Sequence, residues 1–328
     1  MSWFFLSVIA LLCWSGSDLF SKIGCRDSRD KFSHFKMVTA VGAIMGLHAL
    51  YEIVFNNVEI SLEVMLTYLP VSLLYILSMA LGYVGLKYIE LSVSSPICNS
   101  SGALVVIATL VMAVVTGEGL AEYGTLHYIA LAMTCAGVIG LGIVEYREDD
   151  ELRLERQKIS NFKYAKSWKA FLFPIAYCVI DAAGTFMDGF VLKDEESGDN
   201  SFELFGQTIE KLSEDSANVA YELTFAVVGF VCLIITIIGL IRKKHTYSVK
   251  LEGPKYIGAI FETVGQFAYI YAISDNDHFA MAAAIIASYC AVSVLWSRIF
   301  LKEKLSLKHY ITIAITVTGI VIMGILDM

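Results

Sequence analysis

Along this chain, apolar runs of about 20 residues alternate with short polar stretches. Ten runs stand out, at approximately 3–23, 37–55, 64–86, 92–116, 125–145, 170–192, 219–241, 256–274, 279–299 and 308–326. A helix of about 20 apolar residues crosses the roughly 30 Å hydrocarbon core of a bilayer. In lipid a helix also satisfies its own backbone hydrogen bonds. The strict alternation of β-barrel strands, about 10 residues at a time, does not appear. The pattern predicts an all-α, polytopic membrane protein with ten transmembrane helices.

The apolar pattern also repeats over a long distance. His127 to Gly142 reads HYIALAMTCAGVIGLG, and His309 to Gly324 reads HYITIAITVTGIVIMG, with seven identical positions. Phe4-Phe5-Leu6 aligns loosely with Phe171-Leu172-Phe173. Two five-helix halves are therefore expected: 1–145, then a charged linker at 146–169, then 170–328. Because five is odd, a second half of the same fold lies upside down in the membrane. That is the inverted-repeat plan of many secondary transporters, which place the substrate near the midplane between halves.

Composition agrees: 57% of residues are hydrophobic and only 17% charged, with a mean hydropathy of +0.66. An ordinary soluble domain carries about 25% charged residues. The net charge of −8 owes much to Asp194–Asp215, part of an acidic loop expected at 193–218. Lysine and arginine gather after the first, fifth, seventh and ninth runs, as at Arg26, Arg29, Lys31 and Lys36, or Arg242, Lys243, Lys244, Lys250 and Lys255. Basic loops stay cytoplasmic, so both termini are expected outside a plasma (inner) membrane. The first run lacks a basic flank and a cleavage-site pattern, and reads as a retained helix. Six of the seven cysteines lie inside apolar runs, where cysteine acts as a small hydrophobe. No metal, cofactor or nucleic-acid partner is expected, and the chain is expected as a monomer or homodimer.

Several residues together resemble the drug/metabolite transporter superfamily, in its EamA-like ten-helix branch. They are Trp14 with Lys22 in the first run, Gly117-Glu118 after the fourth, Lys302-Glu303-Lys304-Leu305-Ser306 after the ninth, and the glycine-bearing last helix of each half. The resemblance spans essentially the whole chain. It implies a carrier with a central cavity lined by helices of both halves.

Ionisable groups within a span are costly and mark function by default. The candidates are Asp18 and Lys22, His48 and Glu52, Asp181 and Asp188, and Glu262 with Gln266. Asp18 and Lys22 share a helix face, as an ion pair near the cytoplasmic end or as a transport pair. Asp181 falls near mid-depth and is expected to be functional, whereas Asp188 is expected nearer the outer surface and solvated. Glu262, Gln266 and Tyr269 form one stripe facing the bundle interior. Among the aromatics, Trp14, Tyr75, Tyr177 and Tyr289 lie at mid-depth and others near span ends as interfacial anchors. Pro96 gives the fourth helix a kink, followed by Asn99, Ser100 and Ser101 as packing contacts or cavity wall. His127, His309, Glu118 and Glu303 are expected to be structural at helix ends, and Gly42, Gly46, Gly137, Gly140, Gly319 and Gly324 to permit close packing.

The expected substrate-binding set is Trp14, Asp18, Tyr75, Asn99, Tyr177, Asp181, Glu262, Gln266, Tyr269 and Tyr289, with Asp181 and Glu262 open to proton coupling. Carboxylates beside aromatic faces favour cations, so the expected cargo is a small cationic or zwitterionic metabolite. The alternatives are an intramembrane enzyme or a passive channel. No catalytic motif such as H-E-x-x-H or G-x-S-x-G appears, so enzymatic activity is not expected.

Overall fold

The computed structural model describes residues 2–25, 30–86, 91–116, 124–147, 172–193, 200–204, 207–242, 247–302 and 304–326. The linker expected at 146–169 lies almost wholly outside them, as do Glu118 and Glu303. Among the described residues the helices are α1 (Trp3–Cys25), α2 (Ser33–Phe55), α3 (Leu62–Gly85), α4 (Leu91–Asn99), α5 (Ser101–Thr116) and α6 (Thr125–Tyr146). They continue as α7 (Leu172–Val191), α8 (Glu214–Ile241), α9 (Val249–Ile273), α10 (Phe279–Ala287), α11 (Tyr289–Trp296) and α12 (Leu307–Leu326). Eight spans are long and apolar enough to cross a membrane. The two predicted spans that fall short of that measure, α7 and α9, are diluted by Asp181 and Asp188 and by Glu252, Lys255, Glu262 and Gln266.

Local sequence sets the ends. Ser61 caps α3 by accepting from the Val64 N–H at 3.2 Å, and Ser213 caps α8 ahead of Glu214 and Asp215. A side-chain oxygen at this place satisfies an otherwise orphaned N–H, and the acids favour the positive end of the helix dipole. Ser306 opens α12 differently: its N–H and hydroxyl both reach His309 Nδ1, at 3.0 and 2.7 Å. His309 is fully buried there, in the structural place the sequence suggested.

Two predicted spans are not continuous helices. The fourth breaks at Ser100 between α4 and α5, where the Ser100 N–H is shared between Pro96 O at 3.2 Å and Ile97 O at 3.3 Å. The ninth breaks at Ser288 between α10 and α11 and ends in a π-helical turn, Ser297–Leu301. Every residue of α10 is buried, and the run Ala282-Ala283-Ala284 lets it lie close to neighbours. The expected acidic loop is also shorter than 193–218. Its later residues begin α8, and Ser201–Leu204 pairs antiparallel with Gln207–Glu210 as β1 and β2. The Leu212 N–H donates to Val191 O at 2.8 Å, folding this segment over the end of α7.

The helices cross between the halves of the sequence. α1 packs along α9, α2 along α8, α3 along α7 and α6 along α12. Glycines make these crossings possible. A methyl group on Gly137 would meet the backbone of Thr316 and Thr312 at 2.8 and 3.0 Å. One on Gly319 would meet the backbone of Ala130 and Thr134 at 2.7 and 2.9 Å. Gly42 likewise faces Phe225 O and Gly229, while Gly229 faces Gly42 and Val38 O. Small residues permit this approach in lipid, where packing and not hydrophobic exclusion joins helices. Outward faces carry Leu47, Val114, Val227, Phe230 and Ile325, all exposed, as an apolar solvent requires.

Candidate functional site

The helix crossings enclose one central cavity. All ten residues of the predicted binding set line it: Trp14 and Asp18 from α1, Tyr75 from α3, Asn99 from α4, Tyr177 and Asp181 from α7, Glu262, Gln266 and Tyr269 from α9, and Tyr289 at the start of α11. Its volume is about 80 Å³. One water needs roughly 10–15 Å³ on this measure, so the space suits several waters or a small solute.

Spacing explains the wall. Glu262, Gln266 and Tyr269 follow at +4 and +7, one face of α9. Trp14 leans on that face, its ring 5.1 Å from Tyr269, and meets Tyr289 edge-on at 5.9 Å. The breaks at Ser100 and Ser288 fall beside Asn99, Ser101, Ala287 and Tyr289, all cavity residues. Non-helical backbone at membrane depth is tolerated where it is buried or lines a cavity.

Three carboxyl groups face the space, each with hydroxyl donors. Asp18 Oδ2 accepts from Ser95 at 2.5 Å and Ser293 at 2.8 Å. Asp181 accepts from Ser101 at 2.8 Å and Ser78 at 3.4 Å. Glu262 Oε2 accepts from Ser17 at 2.7 Å, and its other oxygen takes no hydrogen bond among the described residues. The expected Asp18–Lys22 pairing does not form. Lys22 Nζ instead donates to Leu86 O at 2.7 Å, which neutralises a carbonyl freed at the end of α3. No lysine, arginine or histidine lines the cavity among the described residues.

Asp188 overturns its expectation. It is fully buried, not solvated. Its Oδ1 accepts from Tyr68 at 2.6 Å, and its Oδ2 from Tyr75 at 2.6 Å and Tyr269 at 2.8 Å. Tyr75 also reaches Thr185 at 3.0 Å. This cluster ties α3, α7 and α9 together at one end of the cavity, whose lining includes its Tyr75, Tyr269 and Thr185. Towards the other end the lining continues to Leu86 and Leu91.

Two further ionic groups surround the bundle. Lys36 Nζ holds Asp30 at 2.8 Å and Glu252 Oε1 at 2.6 Å, while Lys255 Nζ holds Glu252 Oε2 at 2.6 Å and Gly24 O at 2.7 Å. Both lysines were counted as loop charges from sequence, yet both are buried. His48 Nδ1 sits 2.9 Å from both oxygens of Glu222, and His48 Nε2 lies 3.4 Å from Glu52. Sequence reasoning passed over Glu222 and Tyr221, and counted Tyr68 and Tyr83 as span aromatics outside the cavity set. A polar residue within a run was the available signal for Glu222; the tyrosines looked like interfacial anchors.

The described helices thus form a bundle around a polar, acid- and aromatic-lined cavity. Residues 209–325 match the EamA-like transporter family, part of the drug/metabolite transporter superfamily, in keeping with the resemblance read from the sequence. A crystal structure described only as "Crystal structure of protein" aligns over 99% of this chain and 96% of its own, at a TM-score of 0.58 and 15% identity. At that identity the two share a fold. No curated protein matches the sequence.

Proposed function

We propose that the protein is a secondary carrier that moves a small cationic or zwitterionic metabolite across the plasma membrane by alternating access. The observation that carries this reading is the cavity itself, with Asp18, Asp181 and Glu262 set among Trp14, Tyr75, Tyr177, Tyr269 and Tyr289 and no basic residue in its described lining. Carboxyl groups attract a cation by charge, and ring faces add cation–π attraction of about 0.5–2 kcal/mol. Asp181 and Glu262 are the candidates for proton coupling.

Alternating access here rests on ten spans arranged as two inverted halves. Support comes from contacts that recur with the partners exchanged. Gly137 meets Thr316 while Gly319 meets Thr134; Gly265 meets Trp14 while Gly82 meets Tyr177; Gly258 meets Ser21 while Gly184 meets Tyr75. In this exchange Trp14 corresponds to Tyr177, one helical turn from the register that the loose Phe4–Phe171 alignment implied. The breaks at Ser100 and Ser288 fall in corresponding spans, as the discontinuous helices of transporters do. The basic loops support termini on the outer side.

The test is uptake into proteoliposomes of the purified full-length chain. A carrier gives saturable, counter-flow-stimulated flux of an organic cation, lost in Asp181→Asn and Glu262→Gln. Flux that never saturates would make the protein a channel, and turnover of the solute would make it an intramembrane enzyme.

A further inference from the structure

Buried polar groups in proteins nearly always have partners. In this cavity the serines are spent on the carboxyl groups: Ser17 on Glu262, Ser95 and Ser293 on Asp18, Ser78 and Ser101 on Asp181. A second set of polar atoms is left over. Trp14 Nε1, Gln266 Nε2, Ser21 Oγ and Tyr83 Oη are buried and have no hydrogen-bond partner among the described residues. All four belong to residues that line the cavity. They come from α1, α3 and α9 and surround Glu262, whose second oxygen is also unused.

The kind of atom matters. An indole N–H and an amide NH₂ only donate, while the two hydroxyls can do either. The unused oxygen of Glu262 is the acceptor a cation would occupy, so these donors need an acceptor from the solute, and a bare cation brings none. A carboxylate on the solute would supply acceptors, but it would stand among Asp18, Asp181 and Glu262 with no lining cation to balance it. A neutral oxygen meets both conditions.

Resting on the cation-carrier reading, we infer that the substrate is an organic cation that also bears a neutral hydrogen-bond acceptor, a hydroxyl or carbonyl oxygen, received by Trp14 and Gln266. The cationic nitrogen faces the free oxygen of Glu262. Trp14 and Gln266 are then specificity-determining residues, which separate solutes of equal charge by what they carry besides the charge.

Three probes share one trimethylammonium head and differ in the rest: tetramethylammonium has no oxygen, choline has a hydroxyl, and glycine betaine has a carboxylate. Calorimetric titration into the detergent-purified full chain should rank choline first, ahead of tetramethylammonium by roughly three- to tenfold, the worth of one neutral hydrogen bond. Glycine betaine should bind more weakly than choline. In Gln266→Leu and Trp14→Phe the ratio of choline to tetramethylammonium affinity should fall towards one, with an unchanged helical circular-dichroism spectrum reporting that each variant is folded. Equal binding of choline and tetramethylammonium, or an advantage unchanged in both variants, overturns the inference and leaves the cation reading standing. Tightest binding of betaine overturns the neutral acceptor. If none of the three binds, the cation reading fails and this inference with it.

Discussion

Asp188 offers a sharp test of how the tyrosine cluster at one end of the cavity is held. Its Oδ1 is the hydrogen-bond partner of the buried Tyr68 hydroxyl at 2.6 Å. On Oδ2, Tyr75 and Tyr269 are differently placed, since they also contact each other and Tyr75 reaches Thr185. Removing the carboxyl group by Asp188→Ala thus orphans Tyr68 but leaves the other two hydroxyls with partners. An unsatisfied buried hydroxyl costs about 1–3 kcal/mol. The bonds lost on Oδ2 add to this, a hydrogen bond to a charged group being worth about 1.5–3 kcal/mol, so the whole substitution should cost about 2–5 kcal/mol. Tyr68→Phe alone should cost about 1–3 kcal/mol, because it strips a donor from a buried carboxyl oxygen. In the Asp188→Ala background the same change should cost nothing or restore stability, since it removes the orphan. The coupling energy of this cycle is then about 1–3 kcal/mol, well above the roughly 0.3–0.5 kcal/mol within which independent sites add. Equilibrium unfolding in mixed micelles, titrated with a denaturing detergent, measures all four variants. If Tyr68→Phe costs the same with and without Asp188, the carboxyl group is not what holds Tyr68, and the proposed role of the cluster fails.

Other expectations follow from the same coordinates. Glu252→Ala leaves Lys36 and Lys255 buried without their shared partner and should destabilise by about 3–5 kcal/mol in the same titration; a loss below 1 kcal/mol would mean that the cluster is solvated. Gly137→Val should cost about 1–3 kcal/mol or more by wedging α6 from α12. Gly253→Ala, with nothing within 4 Å of the new methyl group, should instead stabilise by about 0.4–1 kcal/mol, and equal effects at the two glycines would contradict the packing. A reporter fused to the C-terminus should register on the outer side of the membrane, and a cytoplasmic signal would refute the orientation drawn from the basic loops.

Much of the helical layout was legible because apolar length is a one-dimensional property: every predicted run overlaps helix, though the fourth and ninth are split and α8 and α9 begin five and seven residues before their runs. The cavity set was legible for a related reason. A carboxyl or amide group at mid-depth cannot face lipid, so Asp181, Glu262 and Gln266 had to point inwards. What failed needed the third dimension. Asp188 lies three residues from the end of α7, which suggested water; the Val191–Leu212 contact folds the following segment over that end and encloses it. Lys36 and Lys255 begin helices beside charged loops, and only the crossing of α2 with α9 makes them partners of one glutamate. Tyr68 resembled an interfacial anchor because residue type and depth do not say which face of a helix a neighbour covers.

The proposed exchange of halves also explains why the site can be built from a repeat and still be unsymmetrical. The step that takes Trp14 to Tyr177 takes Asp18 to Asp181, so each half contributes one carboxyl group in the corresponding place, and each is held by serines. The step that takes Gly265 to Gly82 takes Glu262 to Met79, which lines the opposite wall with a thioether. Asp188 corresponds to Cys25, so the tyrosine cluster at one end has no counterpart at the other. There Lys22 bonds the Leu86 carbonyl and Lys255 the Gly24 carbonyl, cations on backbone where the first end has hydroxyls on a carboxyl group. Two ends held by different chemistry respond differently to a cation inside. A positive solute beside Glu262 competes with nothing in the tyrosine cluster except through Tyr75 and Tyr269, the two tyrosines that belong to both. Those residues are where occupancy of the cavity reaches Asp188, and Tyr75→Phe should therefore alter transport of a bound cation more than Tyr68→Phe, although both remove one hydroxyl from the same carboxyl group. Equal transport in the two variants, measured in proteoliposomes at matched protein levels, would mean that the cluster and occupancy are independent.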